Sequence, residues 1–384
     1  MSGKRLKIGF VNAWGAQRKN WSGTPFYMAR ALELHCGEVV HYREISGGLP
    51  IFRAKIANKL TFALAGKRHD WLHTYPLSRR YARYFQEEIR RTRPDVLFGC
   101  AAASEIALLE TDLPMVGSSD ATAALNRNYY TSATHLTAYS NRVVEDIERR
   151  YLHKMLGLLY STKWAADSAV RDYGVSPSRV FSAPYGANLD GGAIPPRAGA
   201  LREKQRDVCR LLFLGVDWER KGGAIAVETL KCLLTMGVPA ELTVCGCVPP
   251  AEYQYPKIRV IPFLDKNTPD GMNSILRLLY ESHFLLLPTR AEAFGIVFCE
   301  AAAFGLPSIS TDTGGVSGVV SEGRNGHLLP LSAGGEDYAG VIASCFTDFS
   351  RYEQLRRTSR EEYEERLNWD AWGRAAARIL TEIL

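Results

Sequence analysis

Residues 288–305 read PTRAEAFGIVFCEAAAFG and carry two carboxylates, Glu292 and Glu300, eight residues apart. On a helix that spacing is about two turns, so both acids can face the same cleft. The helix should start near Ala293 or Phe294, with Glu292 at its entrance, and run to Gly305, where a glycine just ahead of Pro307 makes a suitable C-terminal cap. The amides of Phe294, Gly295, Ile296 and Val297 would then carry the partial positive charge of a helix N-terminus, and a glycine among them leaves room for a phosphate to approach closely. Cys299, Ala301, Ala302, Ala303 and Phe304 make the surroundings of Glu300 apolar. An acid buried there is costly without a partner, and sugar hydroxyls would serve. The plainer reading has Glu292 as an ordinary first-turn acid and Glu300 as a solvated helix residue.

A second group of charges lies in LLFLGVDWERKGG, residues 211–223, where Gly215 follows an apolar run and Arg220 and Lys221 precede Gly222 and Gly223. Adjacent cations at a strand-to-helix loop can clamp a diphosphate, the guanidinium through paired hydrogen bonds and the ammonium as a point charge. A solvated basic turn is the alternative. Near the start, NAWGAQRKNWSGTPFYMARAL places Gly23 ahead of a helix beginning near Pro25, where a glycine amide can meet a phosphate; the same residues are also ordinary turn and capping chemistry. The GxGxxG fingerprint is absent from this loop, which argues against a dehydrogenase.

These loops need strands to hold them. Short apolar runs recur: LKIGFVNA, EVVHYR, DVLFGCAA, MVGSSD, LLYST and VFSAPYG, then RLLFLGV, ELTVCG, RVIPF, HFLLLP, SIST and GHLLP, with helical segments between them. Strands this apolar are buried on both faces, as in parallel sheets wrapped by helices. The fold class is therefore α/β, with two doubly wound domains facing across a cleft and ligands at the carboxyl ends of the strands. The first domain is expected over residues 1–190. A linker, 191–207, falls in a stretch rich in Gly, Pro and charge, and the second domain covers 208–367. The terminal segment, 368–384, places Trp369, Trp372, Ala376, Ile379 and Leu380 along one side of a helix that can cap either domain.

The 384 residues suffice for two domains, and 46% hydrophobic with 23% charged residues suits a soluble protein. With no run of 18 apolar residues and a start, MSGKRLKIGFVNAW, that enters a strand directly, a cytoplasmic location is expected. Eight scattered cysteines without zinc-type spacing read as reduced core residues. The net charge of +6 is unevenly spread: residues 53–93 hold eleven Lys/Arg against Asp70, Glu87 and Glu88. FRAKIANKLTFALAGKRHDW interleaves apolar residues with these cations, as a helix lying on an anionic membrane surface would. A solvated helix face is the equal alternative, and no nucleic-acid-binding motif accompanies the charge.

Taken together, the Glu292 to Glu300 spacing with Phe294-Gly295, the loop FLGVDWERKGG and the segment YSTKWAADSAVRDYGVSPSRVFSAPYGAN resemble the retaining GT-B glycosyltransferases of family 4, the glycosyl transferases group 1. The likeness runs over nearly the whole chain and is strongest from Leu211 to Leu331. It implies a GT-B fold of two Rossmann-like domains, an acceptor-side first domain to which the terminal helix returns, and a second domain that binds a nucleotide-diphosphate-sugar donor. By position it implies that Arg220 and Lys221 hold the donor diphosphate, that Glu300 hydrogen-bonds the ribose, and that Glu292 with the amides of Phe294 to Val297 holds the transferred sugar and phosphates. Gly23 would add an amide, and Phe263 and Leu264 would line the base pocket. Where many members carry a histidine near the sugar, PMVGSSDATAALNRNYY offers Asp120, which can accept from a sugar hydroxyl; an Asp capping the next helix is the alternative. The implied chemistry is a metal-independent, cofactor-free front-face displacement with retention, moving a sugar to a glycan or lipid-linked acceptor. A nucleotide-sugar epimerase or hydrolase of the same fold, or a catalytically silent sugar-nucleotide-binding subunit, are the other readings.

Overall fold

A computed structural model describes residues 5–384. The chain divides into two compact units, one of residues 1–184 with Trp372–Leu384, the other Tyr185–Ala371. Each unit holds one six-stranded sheet in which every strand pairs in parallel. All twelve apolar runs of the sequence are strands.

In the first unit, β1 (Leu6–Val11), β2 (Gly37–His41), β3 (Val96–Cys100), β4 (Met115–Ser119), β5 (Gly157–Tyr160) and β6 (Val180–Ser182) lie in the order β2-β1-β3-β4-β5-β6. β3 is buried at all five positions and β5 at all four, because helices cover both faces. Threonines start several helices of this unit: the side chains of Thr74, Thr122, Thr137 and Thr162 each accept an amide of the first turn. The terminal helix Trp369–Ile383 crosses the boundary between the units. Trp372 packs edge-on to Phe98 with ring centroids 5.9 Å apart, and a Cβ on Gly157 would lie 2.4 Å from Ile383, so the helix body sits tightly on the first sheet.

In the second unit, β7 (Cys209–Leu214), β8 (Ala240–Cys245), β9 (Ile258–Ile261), β10 (Phe284–Leu287), β11 (Ser308–Thr311) and β12 (Gly326–Leu329) are ordered β12-β11-β10-β7-β8-β9. The first strand of the series therefore lies between the second and the fourth. That reversal is a topological switch point: the connections leaving β7 and β10 run to opposite sides and leave a crevice at their carboxyl ends. β9 departs from the uniformly apolar expectation, with Val260 40% exposed, because it is an edge strand.

Residues 191–207, expected as a linker, pack against the helix Phe349–Glu365 of the second unit. The fully buried Arg356 donates to the carbonyls of Ala200 (3.0 Å) and Arg202 (2.9 Å), and Arg197 pairs with Glu361 and Glu364. The charges of this stretch serve as packing partners. His283, just ahead of β10, ties this segment to the sheet. Its Nδ1 accepts from the Arg210 amide at 2.9 Å and its Nε2 donates to the Gln205 carbonyl at 2.9 Å, while burial, aided by Lys204, pushes its pKa down to about 3.

Candidate active site

The loops leaving β7 and β10 are joined backbone to backbone. The Arg290 amide donates to the Arg220 carbonyl at 2.7 Å, the Thr289 hydroxyl donates to the same oxygen at 3.1 Å, and a Cβ on Gly222 (φ 77°) would stand 2.0 Å from the Pro288 carbonyl oxygen. Only glycine permits both that backbone conformation and that approach. At Gly215, just after β7, a Cβ would come 3.0 Å from the Lys221 side chain, which passes close over the loop.

This junction brings together three of the charges singled out in the sequence. The Lys221 ammonium and the Glu292 carboxylate are in direct contact through Nζ and Oε2, and Arg220 Nη1 lies 3.4 Å from the same oxygen while donating to the Ala291 carbonyl at 2.9 Å. Lys221 and Glu292 are both buried. Asp217, not anticipated, steadies Arg220 from within the loop: its Oδ1 accepts the Arg220 amide at 3.1 Å and its Oδ2 lies 3.4 Å from Nε. The loop after β11 reaches in as well, the Gly315 amide donating to the Glu292 carbonyl at 3.0 Å.

The helix after β10 spans Ile296–Ala303, two to three residues later than expected, because Gly295 at its N-cap takes φ 85°. Glu292 accordingly lies in the loop ahead of the helix rather than in its first turn. No side chain caps this N-terminus, so amides of the first turn keep their donor capacity beside the Arg220–Lys221 pair. The Phe294 ring packs edge-on against Tyr185, centroids 5.4 Å apart, which holds the loop against the body of the unit.

Glu300 is fully buried, so the solvated reading fails for it. Its partner is Lys266, whose Nζ donates to both carboxylate oxygens at 2.6 Å. The spacing within residues 288–305 suggests sugar hydroxyls as the partner and does not by itself point to this lysine. It follows Phe263 and Leu264 in the loop after β9, and the rule that ligands gather at the carboxyl ends of strands was the available signal. The two acids thus meet different cations rather than one shared partner. Phe263 is 64% exposed on that same loop, with Leu264 beside it.

Two site expectations lie in the first unit. Gly23 is the left-handed N-cap (φ 91°) of the helix Thr24–His35, but its own amide already donates to the Asn20 carbonyl at 2.8 Å. The tight turn Trp21–Gly23 that sets the helix direction consumes this donor, which corrects the expectation of a free Gly23 amide. Asp120 follows β4 and is half-buried; the cap of the next helix is Thr122, not Asp120. Near the carboxyl ends of β1 and β3, Glu105 accepts the Ala13 amide at 3.0 Å and Asn12 donates to the Cys100 carbonyl at 2.9 Å.

Glu148, on the helix Ala138–Lys154, is a further buried acid of this unit. Burial pushes its carboxyl up to about 7, partly offset by His73 and by the Ala123 amide. A folded-state value above the ordinary 4.5 means that ionisation opposes folding. The penalty is absent below pH ~4.5, grows as pH rises and levels off above ~7, at about 3 kcal/mol for a shift of this size. Glu148→Gln should therefore raise unfolding stability at pH 8 by up to about 3 kcal/mol and leave it nearly unchanged at pH 4. Denaturant melts at the two pH values check this; an equal effect at both would contradict it.

Residues 209–348 match the sequence profile of the glycosyl transferases group 1. A D-inositol 3-phosphate glycosyltransferase of Paenarthrobacter aurescens (strain TC1) is 24% identical over 245 residues, covering 62% of this chain, and the chain spans 59% of that relative's length. Among solved structures, a sucrose-phosphate synthase from Thermosynechococcus elongatus superposes with a TM-score of 0.70 at 15% identity over 99% of both chains. The Anabaena protein Alr3699/HepE, solved in complex with UDP and glucose, superposes with a TM-score of 0.64 at 15% identity over 98% of this chain and 100% of that one. At these identities the structures establish the fold, which is GT-B; the Arg220–Lys221 loop, the Glu292 loop and Glu300 all lie within the group 1 segment.

Proposed function

We propose that the protein is a retaining glycosyltransferase that moves a sugar from a nucleotide-diphosphate-sugar donor to a glycan or lipid-linked acceptor. The observation that carries this reading is the meeting of Arg220, Lys221 and an uncapped helix N-terminus at the switch point of the second sheet. Arg220 and Lys221 present guanidinium and ammonium donors side by side, balanced by Glu292 and Asp217, and the amides of the helix N-terminus add partial positive charge, which suits a leaving diphosphate. The group 1 match and the names of the relatives support the same reading.

In this reading the second unit holds the donor and the first holds the acceptor. Arg220 and Lys221 bind the diphosphate, Glu300 shares its oxygens between Lys266 and the ribose hydroxyls, and the exposed Phe263 with Leu264 flanks the base. Glu292 and the segment Phe294–Val297 hold the sugar and phosphates, and Asp120 accepts from a sugar hydroxyl. The acceptor oxygen attacks the anomeric carbon on the face from which the diphosphate departs. The carbon–oxygen bond to phosphate breaks as the new glycosidic bond forms, and the acceptor's proton passes to the departing phosphate oxygen. Electrostatic stabilisation of that leaving group is the main catalytic term, with no resident metal or cofactor assigned. A cytoplasmic protein meeting its acceptor at a membrane surface is consistent with this chemistry.

A panel of UDP-, GDP-, ADP- and dTDP-sugars tests the proposal by thermal shift, since a ligand at 100 times its Kd adds about 2.7 kcal/mol. One donor should stabilise the protein and turn over only when an acceptor is added, including in EDTA. Turnover without acceptor would instead identify a hydrolase or epimerase, and binding without turnover a silent subunit. If no nucleotide sugar shifts the melting temperature, the reading fails.

A further inference from the structure

The helix Gly48–Ala65 in the first unit buries only Ala54 of its eighteen residues. Leu49, Phe52, Ile56, Leu60 and Leu64 are 55%, 61%, 43%, 56% and 85% exposed. Their spacing of three and four residues draws them into one stripe along the helix. An apolar stripe of this length left in water is unusual for a solvated helix face. Residues 45–69 contain no Asp or Glu, and Arg53, Lys55, Lys59, Lys67 and Arg68 accompany the stripe.

A cavity of about 480 Å³ opens at the N-terminal end of this helix, lined by Ile45, Pro50, Arg79, Arg80, Arg83 and Glu87 among others. Arg80 lies under the helix start, its guanidinium carbon 3.3 Å from where a Cβ on Gly48 would be, and it donates to the Ser46 carbonyl at 2.9 Å. The Ser46 hydroxyl accepts the Gly48 amide at 3.1 Å, and Pro50 in the first turn has no amide to donate. Among the described residues no acid is paired with Arg79, Arg80 or Arg83, although Glu87 shares the lining, so the cavity keeps a surplus of positive charge. Three guanidiniums lining one opening suit a phosphate group.

We propose that this face docks on an anionic phospholipid membrane, with the stripe from Leu49 to Leu64 entering the headgroup–acyl boundary and the Arg79/Arg80/Arg83 cavity receiving a lipid phosphate. Charge complementarity selects the occupant: a neutral protein groove would match the stripe but would leave both the acid-free run and the arginine cavity without partners. The placement also explains why a helix so poor in buried contacts belongs to the fold, because its second packing surface is the bilayer. The site is separate from the donor machinery and does not rest on the transferase reading.

Co-sedimentation of the full chain with phosphatidylcholine vesicles, with and without phosphatidylglycerol, tests this without any turnover assay. The protein should pellet with the anionic vesicles and not with the neutral ones, and about 1 M salt should weaken binding by screening the charges. Each cation near an anionic surface contributes about fivefold to partitioning, so the double variant Arg79→Glu/Arg83→Glu should lose at least tenfold. Phe52→Glu/Leu60→Glu should lose a similar amount. All four positions are exposed, so the melting temperature should stay near that of the parent. Equal binding to both vesicle types, absence of the parent from the anionic pellet, or unchanged binding of both variants would overturn the proposal. So would inorganic phosphate that raises the melting temperature while no vesicle is bound, since the cavity would then serve a soluble anion.

Discussion

Lys221→Ala is expected to lower kcat by a factor on the order of 10² to 10³, the loss typical of one removed donor to a developing charge. Arg220 cannot compensate, because it lies 3.4 Å from Glu292 and its guanidinium already serves Ala291 and Asp217. The variant should also melt lower, because the buried Glu292 loses its direct ammonium partner, and weakening the pairing of a buried carboxylate is costly. The two effects separate in the double variant Lys221→Ala/Glu292→Gln. Neutralising the acid should recover most of the stability and none of the rate assigned to Lys221. A single variant that turns over within a factor of three of the parent would remove Lys221 from the catalytic role proposed for it.

The second large effect concerns Glu300 and Lys266, whose exposures differ. The Glu300 side chain is 1% exposed and that of Lys266 30%. Removing Glu300 leaves an ammonium that can swing toward water, whereas removing Lys266 leaves a carboxylate that cannot. Lys266→Ala should therefore destabilise by about 3–5 kcal/mol, the range for breaking a buried pair, and Glu300→Gln by clearly less. A nucleotide sugar whose ribose hydroxyls take up Glu300 would restore part of the loss, so the donor should raise the melting temperature of Lys266→Ala by more than that of the parent. Thermal melts with and without donor decide the matter. Equal destabilisation by the two substitutions would contradict the burial argument, and equal donor shifts in variant and parent would contradict the ribose assignment.

Much of the scaffold was legible because parallel strands covered on both faces must be apolar at nearly every position. LLFL and FLLL announce themselves without any knowledge of their neighbours. The short edge strand β6 was found as well, since VFSAPYG keeps enough of the pattern. The start of the helix after β10 was placed too early. Periodicity locates a helix body, while its first residue depends on a backbone angle, here the left-handed Gly295.

The residues 191–207 show a different limit. Composition rich in Gly, Pro and charge describes a flexible connection and a packed irregular segment equally well, and only Arg356, far along the chain, distinguishes them by reaching the Ala200 and Arg202 carbonyls. The Gly23 amide is engaged for a local reason: the amide of a glycine in a tight turn is often used by the turn itself, here by the Asn20 carbonyl.

The sequence by itself determined the α/β class, the twelve strands and the chemical types gathered at residues 215–223 and 288–300, because these follow from hydropathy runs and from spacing along one segment. Which charge meets which was decided only by the tertiary structure. Strand order puts β10 beside β7 and so joins Lys221 to Glu292 across 71 positions, while Lys266 comes to Glu300 from the edge of the sheet across 34. Ion pairing depends on distance in space, and where the chain returns on itself that distance bears no fixed relation to separation in sequence.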